Sequence, residues 1–228
     1  MKRFLVLSIA CAASFFVQAV SADVLRYLGP AYGGYINTYG LTNTPSPVNS
    51  HPRAGGLLMD NLTTPAADSF AAWCVDIFHY LDTVAPWPSY TLVDGNTFYS
   101  SSPKVAQLER LATQHLSSLS TVQESGAFQL AIWEIVNETG GTYSLSDGSF
   151  RVANASGTAI STANSWLSTV NEGEITLKLN VWQQVVPGST QDLAVFTSPV
   201  PESEVYAMLL AGLGLMGFVA RRRKGDGY

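Results

Sequence analysis

Apolar and aromatic positions fall in short, bounded runs over the first third of the chain and again over its last third. "GGYINTY" (33–39), "GGLLMDNL" (55–62) and "SFAAWCVDIFHYL" (69–81) are rich in aromatic and β-branched residues. Gly, Pro or Asn bounds them, so they read as strands. The period then changes. In "SPKVAQLERLATQHLSSL" (102–119), Val105, Leu108, Leu111, Ala112, Leu116 and Leu119 recur at helical spacing, and Ser102-Pro103 marks the start. "SGAFQLAIWEIVNETGG" (125–141) predicts a second helix, stopped by Gly140-Gly141. "TAISTANSWLSTV" (158–170) predicts a third, with Ile160, Ala163, Trp166 and Leu167 on one face. The strand pattern returns in "TYSL" (142–145), "SFRVA" (149–153), "EITLKLNVWQQV" (174–185) and "DLAVFTS" (192–198). Strands, then helices, then strands predict an α+β domain. Its core is a mostly antiparallel sheet or sandwich that carries a helical insertion.

Both ends of the chain carry longer apolar runs. Lys2 and Arg3 precede the apolar stretch 4–20, and small residues follow at Val20-Ser21-Ala22. This is the order of a secretory signal peptide, with the cut expected between Ala22 and Asp23 and export expected through the Sec machinery. Residues 205–220, "VYAMLLAGLGLMGFVA", are uncharged and mostly apolar, and Arg221, Arg222, Arg223 and Lys224 follow. As a helix this segment is long enough, with flanking residues, to cross a bilayer. The four cations would stay on the cytoplasmic side. "GLGLMG" within it matches a dinucleotide fingerprint in letters only. No strand precedes it, and the chain is too short beyond Gly217 for the acidic partner. The glycines read as packing faces in lipid.

The organisation expected is therefore a leader (1–22), an exported domain (23–199) and a C-terminal signal (200–224). Composition agrees: the 228 residues are 46% hydrophobic and only 13% charged. The exported domain has fourteen acidic residues against six basic ones, Arg26, Arg53, Lys104, Arg110, Arg151 and Lys178. That balance excludes a nucleic-acid binder, because phosphates would be repelled.

Cys74 poses the chemical question. The other cysteine, Cys11, lies in the leader, so the exported domain holds one thiol with no disulfide partner. One Cys and three scattered His lack metal-ligand spacing, so no metal or cofactor is expected. Strand alternation over 69–81 puts His79 on the face opposite Cys74. A Cys-His hydrolase would then need His51 or His115. The simplest role for Cys74 is a small buried hydrophobe. Gln129 stands out next, an amide amid the apolar residues of "GAFQLAIWEIV" (126–136). If turned inward, it needs hydrogen-bond partners or a chemical use.

Two resemblances add to this reading. The tail resembles the PEP-CTERM sorting signal: a Pro-Glu box at Val200-Pro201-Glu202, a glycine-containing apolar helix and a basic cluster. Ser203 stands where a second Pro is usual. The resemblance implies handling by an exosortase, a membrane transpeptidase-like protease of Gram-negative bacteria that make extracellular polysaccharide. The inner-membrane anchor would then be transient, and the final site the cell surface, outer envelope or extracellular matrix. The alternative is a plain C-terminal anchor. Trp73-Cys74-Val75-Asp76 and Phe128-Gln129-Leu130-Ala131-Ile132-Trp133 resemble the two motifs of Cys-Gln thioester domains, with Phe128 in place of the usual Thr. This resemblance implies a bond between Cys74 and Gln129, with Trp73, Asp76, Phe128, Ala131 and Trp133 as motif neighbours. Trp73, Phe128 and Trp133 are expected to wall the bond from water. Its targets would be an amine or hydroxyl on a surface or polysaccharide, and no turnover enzyme is expected. The alternative is a noncovalent envelope protein of the same fold with an inert Cys74.

Overall fold

The computed structural model describes residues 22–43, 45–64, 68–198, 211–213 and 216. Residues 211–213 and 216 are helical. The rest of the leader and of the apolar segment 205–220, the sorting residues Val200, Pro201 and Glu202, and the basic cluster 221–224 lie outside the described residues. Among the described residues no helix is long and apolar enough to cross a membrane.

Among the described residues, nine strands and four α-helices form the domain. The strands are β1 (Asp23–Pro30), β2 (Ile36–Thr42), β3 (Arg53–Ala54), β4 (Leu57–Asn61), β5 (Phe70–Cys74), β6 (Ser89–Asp94), β7 (Arg151–Ala155), β8 (Lys178–Gln184) and β9 (Leu193–Thr197). The helices are α1 (Gly95–Phe98), α2 (Pro103–His115), α3 (Val122–Asn137) and α4 (Ala159–Leu167). Six strands close an antiparallel barrel in the order β1-β4-β5-β9-β8-β6, and a smaller sheet runs β3-β2-β7.

The α+β class stands, but the main sheet is a closed barrel rather than a sandwich. The reason lies in two strands absent from the sequence reading. β1 pairs with β4 through Leu25↔Asn61 and with β6 through Asp23↔Tyr90. Without β1 and β6 the sheet has two free edges; with them it has none. A second correction concerns "TYSL", which is a loop. Side chains take its main-chain donors in place of a neighbouring strand. Ser144 N–H donates to Glu134 Oε1 at 2.7 Å, and Leu145 N–H to Asn164 Oδ1 at 3.0 Å. A third shortens the strand predicted over 69–81, which ends at Cys74.

Helix α3 is the centre of the molecule. It packs against β5 of the barrel, against β2 and β3 of the small sheet, and against α2 and α4. Its start is set by a capping box. The Thr121 hydroxyl accepts from Glu124 N–H at 3.2 Å, and the Glu124 carboxylate accepts from Thr121 N–H at 3.0 Å. The two free donors of the first turn are thereby matched. Gly126 lets the helix approach β2: a Cβ there would lie 2.5 Å from the Ile36 side chain. Every residue from Ser125 to Ile135 is buried, which an apolar helix tolerates only when other elements surround it.

Two carboxylates at the end of α3 hold the loop that follows. Glu138 accepts from the main-chain N–H groups of Thr139, Gly140, Ser149 and Phe150. Burial works to raise its carboxyl, but these donors outweigh it and hold the group below its ordinary range. Glu134 has fewer donors, and its Oε2 has no partner. Burial pushes its carboxyl up to about 7, against the Ser144 hydrogen bond. The fold therefore holds a proton on Glu134 where the unfolded chain has lost it. Stability should fall as pH rises from about 4.5 to about 7. Glu134→Gln keeps the Ser144 bond and carries no charge. Its unfolding free energy should exceed that of wild type by about 1–3 kcal/mol at pH 8, with the gap closing below pH 5. Denaturant titrations at the two pH values measure this.

Candidate functional site

Cys74 is the last residue of β5 and pairs in register with Leu193 of β9. On the other side β4 follows β5 only as far as Ala72. Two residues further on, an amide side chain stands in for the missing strand. Cys74 N–H donates to Gln129 Oε1 at 3.1 Å, and Gln129 Nε2 donates to the Cys74 carbonyl at 2.7 Å. Gln129 is buried, and this pair of bonds satisfies both ends of its amide. The structure therefore brings Gln129 to the Cys74 main chain, where the sequence motifs imply a bond to its sulfur.

The side chain that meets the thiol is Gln191. Cys74 Sγ lies 2.5 Å from Gln191 Oε1. Gln191 precedes β9, and both of its neighbours are tied down. Thr190 N–H donates to Gln184 Oε1 at 2.9 Å, and its hydroxyl accepts from Asp82 N–H at 3.1 Å. The Asp192 carbonyl accepts from Val75 N–H at 3.1 Å, and its carboxylate from Gln184 N–H at 2.8 Å. A side chain held between two such anchors loses little further freedom on reacting. No local mark in "STQDLAVF" distinguishes Gln191. Only the pairing of β5 with β9 brings it to the sulfur.

A cavity of about 240 Å³ opens onto this contact. Tyr35, Arg53, His79 and Trp133 line it together with Cys74 and Gln191. Trp133 is thus a wall of the site. The other two expected walls are not: Trp73 and Phe128 meet edge to face with ring centroids 5.0 Å apart, in the core. Ala131 is buried beside them on α3. Gln129 sits in the second turn of α3, past the free N–H groups of the first.

Asp76 and His79 follow the end of β5. Asp76 accepts from Phe78 N–H at 2.7 Å through Oδ1 and pairs with His79 Nδ1 through Oδ2. The turn they make carries His79 round to the Cys74 cavity, where alternation had put it on the opposite face. His51 and His115 are elsewhere: His51 bonds Ser50, and His115 stacks on Trp166.

The electrostatics disfavour a free thiolate. Burial, and then the Asp76 carboxylate, push the Cys74 thiol up to about 12. The Tyr35 hydroxyl is raised as well, by burial first and then by its hydrogen bond to Tyr27. Asp192 is raised by burial and by Asp76, against the pull of its Gln184 hydrogen bond and of His79. A thiol protonated at neutral pH resists oxidation and alkylation.

Comparison with known proteins gives two fold likenesses and one sequence match. The N-terminal thioester domain of a surface protein from Clostridium perfringens is similar with a TM-score of 0.45 and 13% identity, over 72% of this chain and 100% of that one. The N-terminal thioester domain of the fibronectin-binding protein SfbI from Streptococcus pyogenes is similar with a TM-score of 0.42 and 13% identity, over 77% and 98%. No curated protein matches the chain. Residues 199–224 match the PEP-CTERM protein-sorting motif, which implies export and processing by an exosortase.

Proposed function

We propose that this chain is an exported surface protein that attaches to its partner through a thioester between Cys74 and Gln191. The observation that supports the reading is the 2.5 Å approach of Cys74 Sγ to Gln191 Oε1. That is about the separation of sulfur and oxygen when one carbonyl carbon carries both, by ordinary covalent geometry. In the forming step the sulfur attacks Gln191 Cδ. The S–C bond forms, the C–N bond breaks, and the amide nitrogen leaves as ammonia with the thiol proton. Gln129 acts on the same site as a positioning residue, since it fixes the Cys74 main chain.

The product is a masked thiol and an activated acyl group at the mouth of a cavity. An amine or hydroxyl of a surface or polysaccharide partner would take the acyl group, leaving the protein linked through Gln191. The sorting motif supports export, and outside the cytoplasm a masked thiol would be protected from disulfide exchange. The intact mass of the purified chain should be one ammonia below its sequence mass. Proteolytic mapping should join the peptides that carry Cys74 and Gln191. Full sequence mass with a free, alkylatable Cys74 would overturn the proposal in favour of a noncovalent envelope protein.

A further inference from the structure

A thioester that waits for its partner needs a group to move a proton when that partner arrives. We propose that His79, oriented by Asp76, accepts the proton of the incoming nucleophile and returns it to the Cys74 sulfur. The inference rests on the Cys74–Gln191 reading and adds a residue to it.

Three observations carry it. The first is position: His79 lines the same cavity as Cys74 and Gln191, so a nucleophile entering the cavity passes its ring. The second is orientation. His79 Nδ1 pairs with Asp76 Oδ2, and Asp76 is itself fixed by Phe78 N–H through its other oxygen. A carboxylate partner makes Nδ1 the donor, so Nε2 carries the lone pair of the neutral ring. The third is packing. A Cβ built at Gly188 would meet Nε2 at 3.4 Å, ordinary contact distance. Glycine there leaves room beside the nitrogen that has to accept, and a larger side chain would crowd it.

The step balances without any added reactant. The nucleophile's nitrogen or oxygen attacks Gln191 Cδ, a new C–N or C–O bond forms, and the C–S bond breaks with its electron pair on sulfur. The proton lost by the nucleophile goes to His79 Nε2 and then to Cys74, giving a free thiol and a neutral imidazole. The return of the proton matters because a buried thiol raised to about 12 makes a poor thiolate leaving group. The groups that face His79 are Asp76 from its own turn, Asp192 from the start of β9, Arg53 from β3, and Cys74 with the Tyr35 hydroxyl across the cavity. The two carboxylates outnumber Arg53 and favour a partner that bears amines, of which the neutral form attacks.

The test uses the full chain and methylamine, with consumption of the thioester followed by intact mass. His79→Ala should still show the loss of one ammonia, since the residue is placed in opening and not in formation. Its reaction with methylamine should slow by about 100-fold, the lower range for a positioned base. Free imidazole in the buffer should restore part of the rate. The wild-type rate, corrected for methylamine's own ionisation, should show a pH step that His79→Ala lacks. Asp76→Asn should slow the reaction less. His79→Asn, whose amide nitrogen stands where Nδ1 does and keeps a hydrogen bond to Asp76, should be as slow as His79→Ala. An unchanged rate in either His79 variant, or a loss that imidazole does not rescue, overturns the role of His79 while leaving the thioester intact. A His79 variant that never forms the bond also counts against it. A wild-type chain of full mass removes the thioester itself, and this proposal with it.

Discussion

Gln191→Ala should yield a folded chain of full sequence mass, with no methylamine adduct and a Cys74 that alkylates once the domain is opened. The effect is all or none, because the substitution removes the acyl carbon placed against the sulfur. Set against a wild-type chain whose thioester has been opened, stability should change little. Gln191 is half-buried, and the hydrogen bonds that hold its segment belong to Thr190 and Asp192 rather than to its own amide. A surface-lying truncation of that kind stays near ±0.5 kcal/mol, apart from the cross-link it abolishes. The same measurement separates the two glutamines. A Gln191→Ala chain that still lacked one ammonia would return the bond to Gln129.

Gln129→Leu should show the opposite pattern: a large loss of stability with the bond retained in the folded molecules. The side chain keeps roughly its volume, but Cys74 N–H and the Cys74 carbonyl lose their only partners on that side. Each buried main-chain group left unpaired costs about 1–3 kcal/mol. Both together should lower the unfolding free energy by about 3–4 kcal/mol, read by denaturant titration. For a domain of this size that corresponds to a fall in Tm of roughly 10 °C. The cost is high because the amide replaces a strand. With leucine in place, β5 ends in a frayed edge against α3, and the sulfur loses its fixed bearing toward Gln191. Thioester formation should therefore be slower but complete. A stable Gln129→Leu chain with full mass would reverse the assignment of the two residues.

The residues that were legible in the sequence are those whose environment is local. Val105, Leu108, Leu111 and Ala112 announce α2 by spacing, and all four are buried. Cys74 and Gln129 announce themselves as odd polar atoms in apolar segments, and they do meet. The capping box Thr121–Glu124 was legible in principle: a Thr three residues before a Glu would have moved the start of α3 back to Val122. Gln191 was not, because its meaning depends on β5 lying beside β9. His79 was misplaced for a different reason. Alternation holds only while the chain remains a strand. Asp76 stops it by offering its carboxylate to Phe78 N–H, a local bond that competes with the ladder. β1 and β6 were missed because each adjoins a stronger signal, the leader for one and the Pro-rich turn before Ser89 for the other.

Cys74 and Gln191 stand 117 positions apart in the chain and next to each other in the barrel. All four helices, with β6, β7 and β8, lie in the loop between them. A bond at that point is a clasp on most of the domain. In the chain-entropy account, closing a loop of this length withdraws about 5 kcal/mol of freedom from the unfolded chain. On the proposed reading, capture of a partner would open the clasp. The unreacted protein would then be the tougher form outside the cell, and the spent one would be held by its packing alone.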